Sequence, residues 1–295
     1  MSEGARPSGP IAGGAADADA RTFLRALRQE VAAHPAVGHS LLGRGKIDPR
    51  ARADFKIFSG QHYALVGTFT RYLELLLLQA PSSQAKIWLA KVLIDEYGER
   101  SSQEDHATHY RRFMRACGWD ESQMEQVRLH PAVCSFIIEH LRLVTQRPFL
   151  VGLGAVGPGH EWAIPAMFAE IITGLKRAGF KAEEIEYFTL HTAQDVDHAN
   201  WLEEALVAFA TTPAAQAEIR LGCQLSLAAR ERLWWGIADK LTSERMLARF
   251  PGVQSATHDA PGEMTLIELR ALLHRPWDLP APLDAASSPA VPARS

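Results

Sequence analysis

The 295-residue sequence is poor in cysteine: Cys117, Cys134 and Cys223 stand far apart, with no CxxC pair. An odd, scattered set of three gives no disulfide framework and fits reduced thiols in a cytoplasmic protein. Long apolar runs are missing too. "YLELLLLQA" falls well short of the roughly 20 residues of a membrane span and reads as a core helix. Neither sign of charge dominates, with 31 Lys and Arg against 34 Asp and Glu and a net charge of −3. That balance gives no general attraction to nucleic acid or to an anionic membrane. Strand signals are scarce, with no short alternating runs joined by Asn-Gly or Asp-Gly turns. The opening "MSEGARPSGPIAGGAADADA" lacks the basic-then-apolar order of a signal peptide. Its Gly, Ala and Pro content predicts a disordered tail over residues 1–20, and "DLPAPLDAASSPAVPARS" predicts another over 278–295.

What the sequence does have is helical periodicity. Apolar patterns of helix length run over about residues 21–34, 49–79, 83–97, 104–117, 121–127, 131–148, 162–178, 183–210 and 214–241. A short helix at "TLIELRALL" follows. Breakers such as "APSS", "ACGWDES", "RLHP", "RAGFKAEE" and "ATTPAAQ" separate them. Most connections are short, so neighbouring helices should pack antiparallel. The fold class is all-α, a single helical domain over residues 21–277.

Within "HTAQDVDHANWLEEAL", His191, Asp195 and His198 are spaced four and three apart. At about 100° per residue, Asp195 lies near +40° and His198 near −20° from His191, on one stripe. The apolar residues Leu190, Ala193, Leu202, Leu206 and Phe209 occupy or flank that side. Burying two imidazoles and a carboxylate without partners costs several kcal/mol. A metal ion removes that cost, and imidazole with carboxylate suits iron, zinc or manganese. The plainer reading is a surface helix with a His–Asp hydrogen bond. Ligands from facing helices decide between them, and two segments offer such groups. One is "LIDEYGERSSQEDHATHYRRF", with Glu96, Glu99, His106 and His109; the other is "GLGAVGPGHEWAIPAMFAE", with Glu161 and Glu170.

Three blocks in order resemble the heme-oxygenase-like diiron oxidases and oxygenases. They are "DEYGERSSQEDHATHYRRF", "GLGAVGPGHEWAIP" and the His-x3-Asp-x2-His stretch preceded by "GLKRAGF" and "EYFTLH". Upstream, "HPAVGHSLLGRGKI" and "GQHYALVGTFTRYLELL" are similar to the opening helices of that group, so the resemblance covers about residues 20–210. It implies a bundle of about seven core helices and two irons held by Glu96, His106, Glu161, His191, Asp195 and His198. It also implies dioxygen as co-substrate and a small-molecule substrate. Further partners expected are an electron donor such as a reductase or ferredoxin, and a second copy in a homodimer, with neither nucleic acid nor membrane.

Straight-helix geometry alone favours Glu99 over Glu96, because Glu99 and His106 are nearly eclipsed whereas Glu96 points about 80° away. Gly98, Ser101 and Ser102 are poor material for a helix interior. A break there would let a loop return Glu96 to the site, and the position after Asp95 matches the resembled group's ligand. Glu96 is therefore preferred, with Glu99 as the alternative. Residues 97–105 are expected to gain order when metal binds, and to help hold the weaker-bound ion. Other polar residues read as duller. His34 and His130 precede prolines and suit turns, His109 suits a supporting or surface role, and Glu170 should face away from Glu161. His62 and Glu74 could reach the core from the first long helix, and Trp234 and Trp235 suit packing.

Three carboxylates against two Fe(II) ions leave a shortage of negative charge that grows on oxidation, which favours oxygen activation over hydrolysis. In the resembled group a peroxo-diferric species then oxidises a small substrate. The polar "GERSSQED" insert leans toward N-oxygenation of a small amine or amino-acid-derived metabolite. The alternatives are oxidative C–C cleavage of an amino or fatty acid and a cofactor-free enzyme of the thiaminase II-like or pyrroloquinoline-quinone-synthase-like kind. A mononuclear iron site on His191, Asp195 and His198 and a non-catalytic scaffold complete the set.

Overall fold

The computed structural model describes residues 13–47, 52–99, 104–249 and 263–276, with side chains described for these except at residues 13–16, 44–47 and 193–200. Local chemistry places most helix ends. Helix α1 spans Gly13–Ala33 and α2 spans Ser40–Ile47. The long α3, Arg52–Gln79, buries a stripe that includes Phe55, Phe58, His62, Leu65, Phe69 and Tyr72. Helix α4, Ser83–Glu96, starts where the Ser82 side chain accepts a hydrogen bond from the Ala85 amide. Helix α5, His106–Ala116, starts where an Asp105 oxygen accepts from the Thr108 amide at 2.6 Å. The one-turn α6, Glu121–Met124, is followed by α7, Pro131–Thr145, with proline at its first position and the His130 side chain as its N-cap.

Helix α8, Phe149–Val156, runs into a π-helical turn, Gly157–Glu161, and then into α9, Ile164–Arg177. A 3-10 turn at Glu183–Ile185 leads into α10, Glu186–Phe209. Helix α11, Pro213–Arg249, packs along α8, α7 and the π turn. The short α12, Leu266–Leu273, is tied down by a two-residue antiparallel ladder, in which β1 (Arg128–Leu129) pairs with β2 (Met264–Thr265). The core is one large apolar cluster running through these helices, with a small separate one at Leu143, Val151 and Ala155. No helix among the described residues is long and apolar enough to cross a membrane.

Most expected helices appear within a few residues of their predicted ends. Three differences stand out. The first helix begins at Gly13, inside the tail expected over residues 1–20; residues 1–12 and 277–295 lie outside the described residues. Helix α11 runs on to Arg249 rather than stopping near residue 241. Helix α8 and the π turn occupy "FLVGLGAVGPGHE", where four glycines and a proline argue against helix on propensity. Tertiary contact overrides propensity there. A Cβ on Gly154 would strike the backbone of Ile219, and one on Gly222 would strike the backbone of Val151. The glycines are what let α8 and α11 touch backbone to backbone. Gly222→Ala is therefore expected to cost about 1–3 kcal/mol or more. Urea denaturation would measure it, and an unchanged midpoint would show that the two helices do not need this approach.

Candidate metal centre

Helix α4 stops at Glu96 because the chain turns over on Gly98, whose φ of +103° lies in the left-handed region. A Cβ at Gly98 would also run into the backbone of Glu104, so the turn folds back on the segment that leads into α5. The break between α4 and α5 thus puts Glu96 at the end of one helix and His106 at the start of the next. Their side chains meet, His106 Nδ1 lying 2.9 Å from Glu96 Oε2, and both are buried. From α10, His191 completes a cluster in which the three ligand atoms all lie within 4.8 Å of one another. The imidazoles of His106 and His191 are tilted at 56° with centroids 4.4 Å apart. His191 Nδ1 donates to the Tyr187 carbonyl at 2.8 Å, which puts the ring's lone pair on Nε2.

Glu161 is the last residue of the π turn, is buried, and lines the same cavity as Glu96 and His191. A π turn inserts one residue into the helical repeat and so re-aims the side chains after it. Further polar lining comes from His62, His160, Tyr187 and Arg230, and the apolar lining from Leu65, Val66, Phe69, Ile164 and Phe168. Burial and the Arg230 charge hold His62 down at about 3, so its imidazole is neutral, with Nδ1 3.1 Å from the Tyr110 hydroxyl. The same causes push His160 well below its ordinary value. Arg230 Nη2 donates to His160 Nδ1 at 2.6 Å.

The two imidazoles and a carboxylate that converge here fit a metal by an observation independent of any resemblance. Their buried ligand atoms crowd one another, and an ion that accepts all three relieves the cost of burial. Nitrogen and oxygen donors of this kind suit iron, manganese or zinc.

Other sequence candidates fall elsewhere. Glu99 is exposed and outside the cluster, so the helix break brings in Glu96 where straight-helix geometry favoured Glu99. Glu74 is half-buried, pairs with Arg71 at 2.7 Å and accepts from the Tyr97 hydroxyl at 2.6 Å. His109 approaches Glu186 at 3.6 Å and Glu104 at 3.9 Å, away from the cluster. Glu170 lines a separate crevice with Leu41, Phe55 and Phe58. His34 and His130 accept from nearby backbone amides, as turn residues do. Trp234 is buried, and Trp235 is exposed. Helix α10 is continuous through positions 195 and 198, but the side chains of Asp195 and His198 lie outside the described residues, as do residues 100–103 of the expected metal-ordered segment.

Arg230 and His160 escaped the sequence reading. A signal for Arg230 existed: it is the single charge in a buried stripe of α11 that runs Ile219, Cys223, Ser226, Arg230, Trp234, Ile237.

A family model described as an iron-containing redox enzyme matches residues 56–231. The 4-chloro-allylglycine synthase of Streptantibioticus cattleyicolor is 23% identical over 228 residues, covering 76% of this chain and 86% of that protein. A 4-aminobenzoate synthase of Chlamydia pneumoniae is 24% identical over 186 residues, covering 63% of this chain and 81% of its own. Among solved structures, a domain of unknown function with a heme oxygenase-like fold from Shewanella denitrificans superposes with a TM-score of 0.58. It is 15% identical and covers 82% of this chain and 97% of its own, a likeness of fold.

Proposed function

The chain belongs to the iron-containing redox enzyme family, whose members are oxidoreductases, and from that premise we propose that it uses two iron ions and dioxygen to oxygenate the nitrogen of a small amine or amino-acid-derived metabolite. The observation that carries the reading is the convergence of Glu96, His106 and His191 in one buried cluster, with Glu161 lining the cavity that Glu96 and His191 share. Glu96, His106, Glu161, His191, Asp195 and His198 would hold the metals. Asp195 and His198 enter by their position on α10, four and seven residues beyond His191. Bound iron would supply reduction of dioxygen and the oxidising equivalent that the side chains themselves lack.

The protein's own contribution is orientation and exclusion of water. The Tyr187 carbonyl fixes the tautomer of His191, and the tilt of the Tyr187 ring, 4.3 Å away, restricts that imidazole's rotation. The turn on Gly98 keeps Glu96 against His106. Leu65, Val66, Phe69, Ile164 and Phe168 give the cavity a largely apolar wall, which suits an aliphatic body and keeps bulk water from the reacting atoms.

Anaerobic titration with Fe(II) is expected to saturate at two metals per chain. Saturation at one would favour a mononuclear site, and no uptake would favour a cofactor-free enzyme on this fold. Insertion of one oxygen atom into an N–H bond releases the other as water and requires two external electrons, so the assay supplies a chemical reductant. Mass spectrometry with labelled dioxygen would then separate the chemistries. Label in an N–O product supports the reading, whereas loss of a carbon fragment from the substrate would replace it with oxidative C–C cleavage.

A further inference from the structure

Arg230 is a charged residue in a place that charge normally avoids. Only 2% of it is exposed, midway along α11 on a stripe otherwise made of Ile219, Cys223, Ser226, Trp234 and Ile237. Burial lowers its guanidinium to about 10, so it is still a cation at neutral pH. Its hydrogen bond goes to a neutral imidazole, His160, and its carbon lies 5.0 Å over the Phe136 ring. Among the described residues it forms no ion pair, and its Nε meets no acceptor. A buried cation held by an imidazole and an aromatic face, with the Glu161 carboxylate acting on it through space but not in a direct ion pair, keeps a donor unsatisfied.

The cavity explains what that charge is for. Arg230 lines it together with Glu96, Glu161 and His191. Three carboxylates against the four positive charges of two Fe(II) ions already leave the proposed cage short of negative charge. Arg230 adds one more positive charge beside it, so the filled site calls for an anion. A guanidinium is shaped for the two oxygens of a carboxylate. Because His160 Nδ1 accepts from Arg230, its proton sits on Nε2, a second donor on the same cavity wall.

We propose that Arg230 is a specificity-determining residue that receives the carboxylate of the substrate, so that the substrate is a small amino acid or other amine-bearing carboxylate and not a simple amine. This rests on the diiron reading for the chemistry that follows, but not for the binding itself.

The test compares acids with their own amides: the common aliphatic L-amino acids and their carboxamides, titrated calorimetrically into the protein, both metal-free and anaerobically Fe(II)-loaded. Wild-type protein is expected to bind at least one acid about 10–100-fold more tightly than its amide, the range for a charge-assisted hydrogen bond. Arg230→Met should erase that preference by weakening acid binding far more than amide binding, and Arg230→Lys should keep part of it. A merely structural arginine would lower acid and amide binding by the same factor and leave their ratio as it is. If no acid in the series outbinds its amide in the wild-type protein, the assignment is overturned, whether or not Arg230→Met folds. Two irons per chain without acid preference would sink the anchor alone. Acid preference without iron uptake would keep the anchor and sink the diiron reading.

Discussion

On the proposed diiron reading, His191→Ala is expected to reduce iron from two ions per chain to one or none, and to lower oxygen-dependent turnover more than ~100-fold. The estimate follows from scale: losing a residue that merely orients a ligand already costs about 10–100-fold in metal affinity or activity, and His191 sits in the cluster itself. His106→Ala should behave alike, since His106 is the partner of Glu96 at 2.9 Å. His198→Ala should follow by its place seven residues along α10. The fold should survive these changes, because Phe188, Phe113 and Tyr110 remain packed beneath the site. Glu99→Ala is the control: an exposed carboxylate outside the cluster should leave stoichiometry and turnover as they are. Full iron content and turnover in His191→Ala under iron-limiting conditions would remove His191 from the ligand set.

Stability of the metal-free protein is expected to fall steeply with acid, by about 4–5 kcal/mol between pH 6.5 and 4.5 from two histidines alone. His62 and His140 are fully buried and held near 3, in each case chiefly by burial. Above the ordinary histidine value both folded and unfolded chains carry these rings neutral, and the linkage is silent. As pH falls below that value the unfolded chain takes up two protons that the folded chain refuses. Each ring then forfeits about 1.4 kcal/mol per pH unit until its folded value is reached. The loss compares with a total stability of about 5–15 kcal/mol for a typical protein. His140 is the cleaner site to test. Its Nδ1 meets the Phe136 carbonyl and its Nε2 the Ser226 hydroxyl, both at 2.8 Å, and it is not part of the cluster. His140→Gln should flatten the dependence by one proton whatever it does to absolute stability. Urea unfolding from pH 7 to 4.5 would read the slope, and an equal slope in variant and wild type would contradict the account.

Helix content was legible because it depends on local spacing. The apolar period over residues 52–79, the serine before α4 and the proline at the start of α7 each act through neighbours a few positions away. The break at Gly98 was legible for the same reason, and it made Glu96 admissible. The resemblance to the diiron group, whose ligand matches the position after Asp95, is what preferred it to Glu99.

The glycine-rich run before Glu161 falls outside the helices read from periodicity because propensity weighs the chain against water, whereas here it lies against another backbone. Gly154 and Gly222 become useful only once α8 and α11 cross. Arg230 is the sharpest case. It stands 69 positions beyond Glu161 in the sequence, and a single arginine in an apolar stripe gives no direction. The sequence by itself determined the helices, their breaks and the residue types able to take a metal, since periodicity and capping are short-range. Only the tertiary structure decided which carboxylates and imidazoles share a cavity and which cation faces them, because electrostatic cost depends on distance through space and on exclusion of water, and neither is a property of spacing along the chain.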